Sequence, residues 1–388
     1  MKKLVIVGGG VSGLTAAYTA GKKNMDAVLL EKSSLPGGRL EYCLSFTSSR
    51  FQPQLYKLIE ELDLKELTTS FPPSLLGMYV KGNVVPYSEL PNMIKKMPKD
   101  QQKVINKIMG EAMKSNFNID NPSENLKKLR NIPFDEYIKD CSPQTIKMFI
   151  EPMMTFTFLE EIDMSKFSAE YGLFNIRFGL EMGEDDVFTF DEGVRIIADI
   201  LQKKAQEKGV TIRTDSKVTK IKKENNHFKI HYDKIDGEKV IEAENVIVST
   251  PLRVTKKIFP EINIPEGASY NKTKCYLLEG EPKEDKQAIL GMPGNKANLR
   301  FLFSGPYGTH YVYPMKNDKP VDFDAFYKNY EITTEEIIEN PFVVIKAGTD
   351  LSKIKTNIEN AYICGDYYYY PLIETSISTA QKAVEMIN

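Results

Sequence analysis

The apolar positions change period twice within the first thirty residues. An apolar run at 4–7 gives way to a glycine turn, a helical pattern over 11–22, and a second apolar run at 27–30. That order predicts a strand, a helix and a second strand, one βαβ unit. From Phe51 the pattern becomes helical, with Leu55, Leu58, Ile59 and Leu62 at the i, i+3, i+4, i+7 spacing of an amphipathic helix. The stretch MYVKGNVVPY then predicts a hairpin with Gly82 and Asn83 at its turn.

Between residues 88 and 180 the pattern predicts a helical insertion, punctuated by Pro91, Pro98, Pro133, Pro143 and Pro152. Its lysine-rich part, 95–114, interleaves with Met93, Met97, Met109 and Met113. Such a face suits contact with a membrane or an apolar substrate; the expected outcome is a solvated helix with its methionines turned to the core. Asp191 is placed to cap a helix on which Val194, Ile197, Ala198, Leu201 and Ala205 share one side. Strands are predicted at 210–212, 218–221, 228–232, 240–241 and 246–248, short strands and turns over 270–346, then a strand at 361–364 and a helix from about 373. There is no internal repeat.

Composition narrows the class without naming a chemistry. A chain of 388 residues with 41% hydrophobic content can bury two or three structural units. Its 51 basic and 53 acidic side chains leave a formal net charge of -2, so no overall field draws it to nucleic acid or anionic lipid. The lysines at 2 and 3 precede an apolar run that glycines interrupt at once, and no segment nears the roughly 20 apolar residues that span a bilayer. A soluble, cytoplasmic protein is expected, with peripheral membrane contact left open. Cys43, Cys141, Cys275 and Cys364 lack metal-like spacing, and with three histidines no metal site is expected; each thiol reads as a small buried hydrophobe.

Chemistry enters at the first turn. Gly8, Gly10 and Gly13 form G-x-G-x-x-G after a strand and at the mouth of a helix, with Glu31 ending the next strand. Gly8 allows the tight turn, Gly10 lets a pyrophosphate approach the backbone, and Gly13 lets helix and strand pack closely. The helix start, with Val11 and Ser12, offers unpaired amides and positive dipole. Glu31, flanked by Lys32, would accept hydrogen bonds from an adenosine ribose. The motif alone does not separate FAD from NAD.

The stretch LLEKSSLPGGRL resembles the FAD proteins of the amine oxidase, protoporphyrinogen oxidase and phytoene desaturase superfamily. The resemblance implies that Gly37, Gly38 and Arg39 lie along the pyrophosphate and flavin edge; a guanidinium also forks onto phosphate unaided. VKGNVVPYSELPNMIKKMP, the segment ending in Glu151 and Pro152, and TFDEGVRIIADILQKKAQEKGVTIRTDSKVTKI are similar to later family segments, which implies that the Val218 backbone meets the adenine. Ile363, Cys364, Gly365 and Asp366 resemble the final flavin motif, and PLIETSISTAQKAVEMI its closing helix, whose first amides near Glu374, Thr375 and Ser376 would face the flavin ring. The pattern departs from the family at Leu372, Thr375 and Ala380, over 41–50, and after Pro152.

The implied fold is α/β: a Rossmann-like FAD-binding domain of the two-dinucleotide-binding type over 1–50, 186–260 and 350–388, with a helical and mixed-sheet substrate domain over 51–185 and 261–349. The implied cofactor is non-covalent FAD, since Cys364 lies within a strand. The implied activity is dehydrogenation or desaturation of a small-molecule, largely apolar substrate by hydride transfer to flavin N5. A flavin-dependent isomerase or mutase, a small-amine oxidase and a non-catalytic FAD-binding protein remain open, as does the oligomeric state. Tyr367, Tyr368, Tyr369 and Tyr370 could line a substrate or pack the core, and Lys274 and Arg300 are weak candidates to orient it.

Overall fold

A computed structural model describes residues 2–41, 48, 50–118, 121–155, 162–182, 187–263, 267–305, 308–349, 358–368 and 370–387. The opening unit is β1 (Lys2–Val7), α1 (Val11–Lys22) and β2 (Ala27–Leu30). After α2 (Pro53–Glu61) come β3 (Thr68–Ser70), β4 (Leu76–Val80) and β5 (Asn83–Pro86). The helical insertion runs through α3 (Leu90–Lys95), α4 (Lys99–Lys114), α5 (Glu124–Leu129), α6 (Phe134–Tyr137), α7 (Pro143–Thr145), a π turn at Ile146–Ile150, α8 (Glu151–Met154) and α9 (Ala169–Glu181). The chain returns through β6 (Phe188–Phe190), α10 (Ile196–Glu207), β7 (Thr211–Arg213), β8 (Lys217–Glu224), β9 (His227–Lys234), β10 (Gly237–Val248) and α11 (Leu252–Ile258). Then follow β11 (Ala268–Pro282), β12 (Ala288–Gly291), β13 (Leu299–Ser304), β14 (Thr309–Pro314) and β15 (Tyr327–Ile345), and finally β16 (Ala361–Ile363) and α12 (Ile373–Glu385).

Among the described residues the strands build two seven-stranded sheets and a ribbon of β3 with β6. In the first sheet β7, β2, β1, the second half of β10 and β16 run parallel, while the first half of β10 joins β9 and β8 in an antiparallel meander. Its inner strands are covered on both faces, so Leu4, Val5, Ile6 and Val7 are all buried. Helix α1 is buried from Val11 to Gly21 and packs on α12 and α10, an approach its alanines and glycines permit. Strand β16 and helix α12, from the far end of the chain, therefore lie in the same body as β1 and α1.

The second sheet has the order β15-β11-β14-β13-β12-β4-β5. Alternate side chains face two cores: Met78, Phe301 and Tyr313 meet the helical insertion, while Tyr79, Leu302 and Val312 meet Phe323 and Phe326 on the other side. Met97 is buried and Met93 and Met109 pack against the core, whereas Met113 is 41% exposed. No helix among the described residues is long and apolar enough to cross a membrane.

Four local expectations shift. The hairpin turn falls on Lys81 and Gly82, both at positive φ, because Val80 pairs with Asn83. Helix α10 starts at Ile196, not just after Asp191, because Gly193 at φ 79° holds a turn between them. The patterns at 240–241 and 246–248 are one continuous strand. The short strands expected over 270–346 include two long ones, β11 and β15, whose pairing shifts register at three places and so breaks the alternation a sequence would show.

Cys141, Cys275 and Cys364 are free and buried, while Cys43 lies outside the described residues.

Candidate functional site

The β1–α1 turn is shaped by what a side chain would strike. Gly8 has φ 103°, and a Cβ on Gly13 would stand 1.8 Å from the Gly8 carbonyl oxygen. A Cβ on Gly10 would meet nothing within 4 Å, so open space lies over this residue. Gly10 is also the N-cap of α1, where no side chain caps the helix and no acid occupies the first turn. The first-turn amides of Val11, Ser12 and Gly13 have no carbonyl of their own helix to bond, and they suit an anion.

A second glycine pair is laid against the first. The Gly37 amide donates to the Gly9 carbonyl at 2.8 Å, and a Cβ on Gly38 would come 3.3 Å from the Gly10 Cα. Glu31 binds this corner together: Oε2 accepts from the Gly9 amide at 2.6 Å and Oε1 from the Ser33 amide at 2.9 Å. Each oxygen keeps a second lone pair for a hydroxyl. Lys32 is exposed at the rim. The Ser216 amide donates to the Glu31 carbonyl at 2.7 Å, which holds Val218 two residues beyond, at the start of β8.

The two chain ends meet in a forked pair. Arg39 Nη1 and Nη2 each donate at 2.8 Å to the Asp366 carboxylate, whose side chain is 5% exposed. The guanidinium expected on a phosphate thus also joins the first loop to the last motif. Gly365 accepts no side chain, since a Cβ would lie 2.3 Å from the Tyr367 ring, and its amide donates to Thr379 Oγ1 at 3.0 Å. Tyr270, which sequence reasoning missed, belongs to this corner. Burial first, then the Asp366 charge, pushes its hydroxyl pKa up, and its oxygen accepts the Leu252 amide at 2.9 Å.

At the start of α12 a reciprocal cap appears. The Glu374 carboxylate accepts the amides of Gln54 and Leu55 at 2.8 and 2.9 Å, capping α2, while the Glu374 amide donates to Gln52 Oε1 at 3.3 Å. Burial raises the Glu374 pKa against these amides, which lower it. Glu374 therefore positions the helix start. Thr375 is fully buried and Ser376 nearly so.

The tyrosines divide. Tyr367 is buried with its hydroxyl donating to the Cys364 carbonyl at 2.7 Å, and Tyr368 donates to the Ile363 carbonyl at 3.3 Å; Tyr369 lies outside the described residues. Tyr370 reaches the insertion: its ring stacks on Phe174 at 4.2 Å and 6°, and its hydroxyl donates at 2.9 Å to Glu170, which Arg130 holds by two bonds. Lys274 is not brought to this corner; it pairs with Glu335 across β11 and β15 at 2.7 Å. Arg300 is buried in the second sheet, donating to the Met315 carbonyl at 2.9 Å.

Open space at a helix start, an acid at the end of the next strand and a second helix start at the joined chain ends are the arrangement of a Rossmann-like fold. A family model described as flavin containing amine oxidoreductase matches residues 11–270, and the chain belongs to that family. It is an oxidoreductase. No curated protein matches it. Among solved structures, a candidate protoporphyrinogen oxidase from Exiguobacterium sp. 255-15 is 15% identical, with 100% of this chain and 98% of that one covered at a TM-score of 0.71. Putrescine oxidase, bound to putrescine, is 14% identical over 100% and 98% at 0.71. A CLA-producing fatty acid isomerase from P. acnes is 14% identical over 99% and 98% at 0.70. At such identities the likeness is one of fold.

Proposed function

We propose that the chain binds FAD without a covalent bond and uses it to dehydrogenate or desaturate a largely apolar organic substrate. The observation that carries the cofactor assignment is the open cradle at Gly10, joined through Arg39 and Asp366 to the start of α12. In this arrangement the amides of Gly10, Val11, Ser12, Gly13 and Gly38 surround the diphosphate, and Gly8, whose own amide bonds the Leu30 carbonyl, shapes the turn beneath it. Glu31, with Lys32 beside it, takes the ribose, and the Val218 backbone meets the adenine. Gly365, Asp366 and Arg39 hold the ribityl end, and the start of α12 at Thr375 and Ser376 faces the ring, the Ser376 amide being bonded to the Leu372 carbonyl. The first sheet with α1, α10 and α12 then forms the FAD-binding domain, and the second sheet with the insertion the substrate domain.

Non-covalent attachment is supported by Cys364, which is fully buried and whose thiol pKa burial pushes well above its ordinary value. When bound, the flavin supplies a hydride acceptor at N5. The apolar substrate class is supported by Phe51, Phe117, Phe174, Phe178 and Tyr370, which contact one another where the insertion meets Leu372, the N-cap of α12. Such rings orient a flat substrate and exclude water.

The test begins with the chromophore released on denaturation, identified by absorbance and mass. Colourless protein that also refuses added FAD ends the proposal. Gly10→Val fills the open space and Glu31→Ala removes the ribose acceptor, so each is expected to lower flavin occupancy at least about tenfold; full occupancy in both variants refutes the site. Anaerobic bleaching by apolar substrates, against primary amines, separates desaturation from amine oxidation. The fold shared with a fatty acid isomerase supports a second reading, double-bond migration without net oxidation. Turnover that requires reduced flavin and leaves substrate mass unchanged selects it.

A further inference from the structure

The helical insertion carries a cavity that the cofactor assignment leaves untouched. It has a volume of about 520 Å³, lies between α4 and α5, and is lined by Asn106, Lys107, Gly110, Glu111, Lys114 and Asn125. Lys107, Gly110, Glu111 and Lys114 follow the i, i+3, i+4, i+7 spacing, so one face of α4 forms the floor.

Gly110 is the first sign of an occupant. A glycine inside a helix is destabilising relative to alanine. At Gly13, Gly21 and Gly172 the fold explains it, since a Cβ would stand 1.8 Å from the Gly8 carbonyl oxygen, 2.8 Å from the Lys208 Cβ and 2.2 Å from the Phe134 ring. At Gly110 a Cβ would meet nothing within 4 Å, and φ is not positive. Neither packing nor backbone geometry asks for glycine there; a molecule lying against the helix does.

The charges are the second sign. Lys107 and Lys114 are exposed and in no ion pair among the described residues, and Lys99 and Lys103 continue the row at four-residue spacing in the same condition. By contrast Lys2, Lys22, Lys229, Lys239 and Lys274 each meet a carboxylate at 2.6–2.9 Å, in a chain whose formal net charge is -2. The acid of the cavity, Glu111, is engaged: Oε2 accepts from the Tyr137 hydroxyl at 2.7 Å and Oε1 from Asn125 Nδ2 at 3.3 Å. Asn125 Nδ2 also donates to Ser115 Oγ at 3.2 Å, which fixes this amide with Oδ1 as its remaining acceptor.

We propose that this cavity binds a phosphate ester with a hydroxyl-bearing body, of the size of a glycerol or sugar phosphate, free in solution or as the headgroup of a lipid. Lysine, a compact point charge, suits a tetrahedral phosphate, and no arginine fork for a carboxylate lines the cavity. The ligand's hydroxyls answer Asn125 Oδ1 and the remaining lone pairs of Glu111, whose charge disfavours a bare anion. The volume falls within the range of ordinary small-molecule sites, about 300–1,000 Å³.

The full-length protein with FAD added is titrated in a calorimeter with glycerol 3-phosphate, with inorganic phosphate, and with vesicles of phosphatidylglycerol or phosphatidylcholine. The ester is expected to bind at least about tenfold tighter than inorganic phosphate. Lys107→Gln together with Lys114→Gln removes two charge-assisted bonds and is expected to weaken it at least about tenfold. Gly110→Leu fills the cavity with a good helix former, so this variant should melt no lower than wild type and yet bind at least about tenfold more weakly. Should the Leu protein not fold, the lysine pair carries the test. Binding of the free ester places the ligand in solution, while binding of phosphatidylglycerol vesicles alone, lost in the same variants, makes it a lipid headgroup. Binding of neither overturns the inference. So do inorganic phosphate bound as tightly as the ester, vesicles of both lipids bound equally, and ester binding that the variants leave within about twofold of wild type.

Discussion

The corner around α1 and the corner around α9 are held together by different parts of the chain. Around α1 the backbone does the holding: Gly8 donates to Leu30, Gly37 to Gly9, and Glu31 accepts two amides. Around α9 side chains do it: Phe174 against Tyr370, Glu170 against Arg130 and Tyr370, and Phe134 in the space Gly172 leaves. A backbone-held corner needs a few residues at fixed spacing and suits a ligand that never changes. A side-chain-held corner can be recut by substitution, and it suits a substrate that differs between enzymes of one fold.

The largest expected effects test this contrast directly. Gly13→Ala places a methyl 1.8 Å from a backbone oxygen, which cannot move without opening the turn. It should cost about 3 kcal/mol in denaturant unfolding and abolish flavin content. Gly172→Ala places its methyl 2.2 Å from the Phe134 ring, a buried side chain and not backbone. A loss of about 1–3 kcal/mol with flavin content retained is expected. If both variants lose flavin alike, the two corners are not independent.

A middle-sized effect sharpens the same point. Glu170→Gln removes the charge that faces Arg130 and weakens the acceptor of Tyr370. Because Arg130 is only a quarter exposed, a loss of about 2 kcal/mol is expected, with the flavin spectrum shifted little. A variant that unfolds like wild type would mean that this network does not join insertion to closing motif.

The contrast also explains what could be read from the sequence. The β1–α1–β2 unit, its glycines and Glu31 were legible because their causes are local: hydrophobic period, turn sterics and spacing within 31 residues. The pairs Arg39 with Asp366 and Gln54 with Glu374 lie 327 and 320 residues apart, and no local pattern announces them. Residues at both ends were singled out by resemblance, but not their bonds to each other. Tyr270 had no signal at all, being one tyrosine on a long strand. The length of β11 and β15 is not legible either, because their bulges flip the side-chain alternation within each strand.

The smallest effect concerns acid. His227 and His231 lie half-buried on β9 of the first sheet, His231 within 2.7 Å of Glu238. His310 lies buried in the second sheet, its ring edge-on to Tyr327 and its Nδ1 3.0 Å from Ser304 Oγ. Burial lowers its pKa from the ordinary 6.5, against a backbone hydrogen bond at Gly280 that raises it. The unfolded chain therefore binds this proton more readily than the folded one. Its share of stability is fully present above pH 6.5 and is lost as pH falls through that value toward the lower folded pKa. His310→Gln has no proton to gain, so the gap between wild type and variant should shrink from about pH 7.5 to about pH 5.5 in urea unfolding. A gap that stays constant over that range would remove the second sheet as a source of acid sensitivity.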